Sequence, residues 1–145
     1  MHRTEVLLAV FSSSLLTAAA WAQSVETWTP GDNARQWVGV VRFSPTQITM
    51  KGGMSLSIQE SGTVSYKTDW GPTVNATIYK VTGQTTPKGM TNLCAASKVA
   101  FVLISRPPAV GSDVSPREID SFKGPRFAAD SPDYCGRLSF DVGRR

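Results

Sequence analysis

The chain has little histidine and little cysteine: His2 is its only imidazole, and Cys94 and Cys135 are its only thiols, in 145 residues. No apolar run reaches the roughly 20 residues that a helix needs to cross the hydrocarbon layer, so no transmembrane segment is expected. No phosphate-loop pattern occurs either, and its glycine-bearing segments Lys51-Gly52-Gly53 and Gly71-Pro72 read as hairpin and turn chemistry. Basic residues exceed acidic ones by fifteen to eleven but are spread out rather than gathered. That is the pattern of a solvated mixed surface, not of a nucleic-acid interface.

The N-terminus explains part of this scarcity. His2 and Arg3 give a short positive start, Val6 to Leu16 form an apolar stretch, and Ala20-Trp21-Ala22 supplies small residues at a cleavage position. Residues 1–22 therefore read as a signal peptide, and the product is expected to be exported, either periplasmic or extracellular. Loss of Arg3 and Glu5 leaves fourteen basic and ten acidic residues, the same net +4. Loss of His2 leaves no histidine. Ser-His-Asp and Cys-His catalysis, histidine metal ligands and the commonest general base are then excluded. Neither a metal nor another cofactor is expected.

In an oxidising compartment an isolated cysteine pair is normally a disulfide, which removes both thiols as nucleophiles. A Cys94–Cys135 bridge closes a loop of about 40 residues and contributes roughly 4 kcal/mol in the chain-entropy model.

The stretch 23–36 reads as an irregular lead-in because Pro30, Gly31, Asp32 and Asn33 cluster there, and 37–145 reads as a single β domain. Within it, Trp37, Gly39, Val41 and Phe43 alternate with their neighbours, as do Ile48 and Met50, then Met54, Leu56 and Ile58, then Val64, Tyr66 and Trp70. Hairpin register links them, because residues flanking a loop share a face. A loop Ser44–Gln47 pairs Phe43 with Ile48. A loop Lys51-Gly52-Gly53 pairs Met50 with Met54 and offers glycine for the left-handed position. A loop Ser61-Gly62-Thr63 sets Ile58 opposite Tyr66. The result is a four-strand meander with one apolar face.

Further strands are expected at 75–82, 98–105, 118–122 and 136–142, with a long loop between Arg106 and Arg117. Val99 to Ile104 is apolar throughout, as expected of a strand covered on both faces. The fold class is all-β: a small antiparallel β-barrel or sandwich of about eight strands with one disulfide, the barrel preferred because a meander closes readily.

Ten carboxylates remain for chemistry. Asp130 with Asp133, or Glu118 with Asp120, could supply the acid and base of glycoside cleavage. In proline-bounded loops such residues are more often solvated turn formers. The aromatic candidates for ligand or partner contact are Trp28, Trp37, Tyr66 and Trp70. Trp37 and Trp70 fall on the expected core face, and packing at one end of the barrel is favoured for Trp28.

Asn75-Ala-Thr-Ile-Tyr-Lys-Val-Thr82, Asn92-Leu-Cys94, Lys98-Val-Ala-Phe-Val-Leu-Ile104 and Tyr134-Cys-Gly136 resemble small exported proteins of rhizobia and related proteobacteria. Those carry a Tyr-Arg/Lys-Val strand, a proline-bearing loop, Asn-x-Leu-Cys, an apolar strand and a late Leu-Cys-Gly. Here Tyr134 replaces the leucine, and Ala95 stands where a glycine often follows the first cysteine. The resemblance covers the second half of the chain. It implies an exported bacterial origin and carries over no active site. The meander with a tryptophan near its start also resembles lipocalin-type barrels. The expected function is therefore that of a non-enzymatic binding protein, holding a small apolar ligand or a protein partner in the barrel interior or on its loop rim. The alternatives are an inhibitor of an extracellular hydrolase and a carboxylate-only enzyme acting on glycan.

Overall fold

The computed structural model describes residues 24–67, 73–109, 111 and 114–143; the expected signal peptide 1–22, Trp70 and the Gly71-Pro72 turn lie outside the described residues. Strand structure begins inside the stretch expected to be irregular. There β1 (Glu26–Pro30) pairs antiparallel with β2 (Val41–Ser44) through Trp28↔Val41, and with β8 (Tyr134–Gly143) through Thr29↔Asp141. Its single apolar core residue, Trp28, is too little to show a period of two. The turn-forming residues that follow make one helical turn, α1 (Asp32–Arg35).

The expected register holds for the next two hairpins. Phe43 lies opposite Ile48 between β2 and β3 (Gln47–Thr49), with pairing continued to Ser44↔Gln47, so only Pro45 and Thr46 form the turn. Met50 donates its N–H to the Met54 carbonyl at 2.8 Å across Lys51–Gly53, where Gly52 and Gly53 adopt φ of 75° and 86°. The third expected turn is absent. β4 runs unbroken from Ser55 to Lys67, and Ser61-Gly62 is a bulge rather than a loop: Glu60 pairs with Tyr79 of β5 (Thr73–Thr85) and Gly62 with Ile78, leaving Ser61 as the extra residue. Gly62, at φ 141°, accommodates the distortion.

With β6 (Phe101–Ser105) and β7 (Val114–Phe122), the eight strands pair in chain order and close on β1, so the architecture is a barrel rather than a sandwich. The long loop expected after Arg106 is shortened because β7 starts at Val114 and pairs with β8 as far as Gly143.

The barrel interior is filled. Trp28, Val41, Ile48, Leu56, Val102, Ile119 and Phe140 are each at most 2% exposed, and the Trp28 ring stacks on Phe43 at 4.9 Å between centroids. The outward positions that face solvent along β2 to β5 include Arg42, Gln47, Ser57, Gln59, Lys80 and Thr82, all polar and exposed. This is the reverse of a barrel that faces lipid. Among the described residues no helix is long and apolar enough to cross a membrane.

A second apolar cluster lies outside the barrel wall. Val102 and Ile104 join the interior cluster, whereas Phe101 and Leu103 pack with Tyr66, Ala76, Phe122, Val64, Val74 and Phe127. Strand β6 is thus covered on both faces, as its unbroken apolar run implies. The far halves of β4 and β5 supply the cover, coiling past their bulges onto the outer face of β6 and β7.

One end of the barrel is closed by charge. Glu26 accepts a hydrogen bond from Trp28 Nε1 at 2.7 Å and lies 3.5 Å from Arg117 Nε and 3.9 Å from Arg106. Burial pushes the Glu26 carboxyl up, but the Trp28 hydrogen bond and the two guanidinium charges outweigh it and hold the group below the usual glutamate value. A depressed carboxylate stabilises the fold above its unfolded-state pKa and loses that contribution as pH falls through the folded value. The stability gap between wild type and Glu26→Gln in urea titrations is therefore expected to be widest near neutrality, and to narrow below about pH 4.3.

Candidate functional site

Trp37 is not on the core face. It is 63% exposed, while its neighbour Val38 is 1% exposed and packs inside. The reason is local. The Ala34 carbonyl accepts N–H groups from Trp37, Val38 and Gly39, and Gly39 ends the turn at φ 61°. That left-handed residue breaks the alternation that would have carried Trp37 inward with Val41 and Phe43.

Beside Trp37 lies a half-open groove of about 440 Å³. One wall is the β5–β6 connection from Thr91 to Ala95. The floor is the start of β8, with Tyr134, Cys135, Gly136, Arg137 and Leu138, and Ser121 and Lys123 complete the lining. The Cys94–Cys135 disulfide joins wall to floor. The wall is a tight turn: Asn92 Oδ1 accepts the Cys94 N–H at 2.8 Å, and the Asn92 carbonyl accepts that of Ala95 at 3.2 Å. Ala95 has φ 54°, a left-handed conformation that disfavours a Cβ. Relief of that strain, less the greater unfolded-state entropy of glycine, should make Ala95→Gly more stable by about 0.5–1 kcal/mol, read as a shifted urea midpoint.

Under the floor is a buried polar network. Asp120, 1% exposed, accepts hydrogen bonds from the Tyr66 hydroxyl, from Tyr134 at 3.4 Å, and from Arg137 Nε and Nη2, both at 2.9 Å. Arg137 Nη1 lies 3.2 Å from Glu118, which also accepts from Ser105 Oγ at 3.3 Å. Burial pushes the Asp120 carboxyl above the usual aspartate value, against the lowering pull of Arg137 and Tyr134. The Arg137 guanidinium is raised despite its burial, because Asp120 hydrogen-bonds it and Glu118 adds charge.

Arg137 thus brings Glu118 and Asp120 into one network, whereas the other carboxylate pair is separated by environment. Asp133 braces a loop, accepting the Arg126 N–H at 3.1 Å and its Nε at 3.2 Å, whereas Asp130 is exposed. The aromatic candidates divide likewise. Trp28 is core, Tyr66 belongs to the network, and Trp37 alone of the described three borders the groove. The sequence does not single out Leu93, Leu138, Lys123 or Arg137: the expected Cys94–Cys135 bridge places the 91–95 turn beside the last strand, but nothing in the pattern shows that Trp37 turns outward to border a groove there. Comparison with family models, with curated proteins and with solved structures returns no match to this chain.

Proposed function

We propose that the chain is an exported, non-enzymatic binding protein that holds an apolar group of its target, a small ligand or a projecting side chain of a protein partner, in the groove beside Trp37. The carrying observation is the pairing of a filled interior with an exposed tryptophan at a concave, disulfide-walled surface. Large aromatic side chains left in water at a concavity are the usual energetic centres of recognition sites. The apolar lining of Leu93 and Leu138 favours an apolar occupant, and Lys123 adds a cation at the rim. The disulfide fits export, and the commitment of Glu118, Asp120 and Asp133 to arginine partners supports a role other than carboxylate catalysis.

Pull-down from the native source, with the mature chain as bait and Trp37→Ala as control, tests the reading. The variant is expected to weaken capture by about 2 kcal/mol, roughly thirtyfold, while its unfolding midpoint stays within about 0.5 kcal/mol of wild type. Equal capture by both proteins, or none by either, would overturn it.

A further inference from the structure

The groove wall has an unusual attachment. Every described hydrogen bond of residues 91–97 closes within that segment: Cys94 and Ala95 N–H to Asn92, and Ser97 N–H to the Cys94 carbonyl at 3.0 Å. What ties the wall to the barrel is the disulfide, together with the packing of Leu93 and Cys94 against the core. The barrel itself closes elsewhere, through β1 pairing with β2 and β8. Cys135 is partly exposed and is among the residues that line the groove, so the bridge borders solvent rather than lying wholly inside the core. The wall also holds Ala95 at φ 54°, a strain that persists only while surrounding structure enforces it.

We propose that the Cys94–Cys135 bridge is a thiol–disulfide exchange site that gates the groove, its reactant a dithiol reductant. A thiolate of the dithiol attacks Sγ of Cys135, the S–S bond breaks, and Cys94 leaves as a thiolate that takes a proton. The second thiol of the reductant then attacks the mixed disulfide and releases Cys135, so two electrons pass to the protein and the reductant leaves as its own disulfide. Freed of its tether, the 91–97 wall relaxes and the groove is lost while the barrel stays closed. The site described above is then available only in the oxidised protein, a step that rests on the proposed binding role.

Hydrogen exchange read by mass spectrometry on the mature chain, with and without dithiothreitol, decides the gate without any ligand. The amides of Cys94, Ala95 and Ser97 are expected to exchange at least about tenfold faster after reduction, while those of β2 to β5 stay protected in a barrel that remains folded. Unchanged protection in 91–97 overturns the proposal. So does loss of protection in the strands together with the wall, because the bridge would then be a global staple. Cys94→Ser/Cys135→Ser provides the same comparison without reductant.

An anionic naphthalene sulfonate dye adds the functional arm. Its affinity is expected to fall at least about tenfold on reduction, equivalent to 1.4 kcal/mol. Equal affinity in both states overturns gating of the groove. No binding by the oxidised protein counts against the proposed binding role, while hydrogen exchange still decides whether the wall is released.

Discussion

Arg137→Met is expected to destabilise the protein by about 3–5 kcal/mol, because it leaves the carboxylate of Asp120 buried without its charge partner. The two nitrogens that face Asp120 at 2.9 Å are the main compensation for a group only 1% exposed, and Glu118 loses its ion pair in the same substitution. The deficit should depend on pH in a defined direction. Without Arg137, burial raises Asp120 further, so the folded state binds a proton that the unfolded state releases, and stability falls as pH rises through that window. Urea midpoints of the variant should therefore approach wild type toward acid. Asp120→Leu/Arg137→Met should lose clearly less than the single variant, since it leaves no carboxylate at the fully buried position and the partly exposed Glu118 loses its partner in both. A double variant as unstable as the single one would show that Tyr66 and the cover it carries dominate the energetics.

Trp28→Ala is expected to cost about 3–5 kcal/mol, the range for truncating a large buried aromatic. The ring is fully buried, stacks on Phe43 and lies 5.9 Å from Phe140 of β8, so it joins the first strand to the last across the closure. Its Nε1 also holds Glu26 in place. Thermal unfolding of Trp28→Ala beside Trp37→Ala separates two residues of the same type: the first should lower the transition strongly, and the second should leave it in place.

Much of the barrel was legible because hairpin register depends only on local alternation and glycine. Phe43↔Ile48 and Met50 with Met54 follow from that rule, and the double coverage of β6 follows from a different signal, the unbroken apolar run Val99 to Ile104. Trp37 escaped it because one positive φ at Gly39 shifts the alternation by a residue. Ser61-Gly62 escaped it because the same two residues suit a turn or a bulge, and the choice is made by the long partner strand β5. The site was less legible than the fold. The bridge that joins its wall to its floor is expected from the sequence, but the outward turn of Trp37 that borders the groove is not. The Asp120–Arg137 pair faces across two strands whose register alone brings them opposite.

The coiling of β4 over the outer wall has a further consequence. β3 ends at Thr49 and meets β4 only over Ser55 to Ser57, so from Gln59 to Lys67 the second edge of β4 borders no strand among the described residues. An open edge invites backbone pairing with another molecule, which closed barrels otherwise avoid. Here the bulge at Ser61-Gly62 twists that edge, and Glu60 and Lys67 stand exposed along it as charges that a stacking chain must desolvate. Solubility, rather than folding free energy, is the property most sensitive to replacing those two residues with apolar ones.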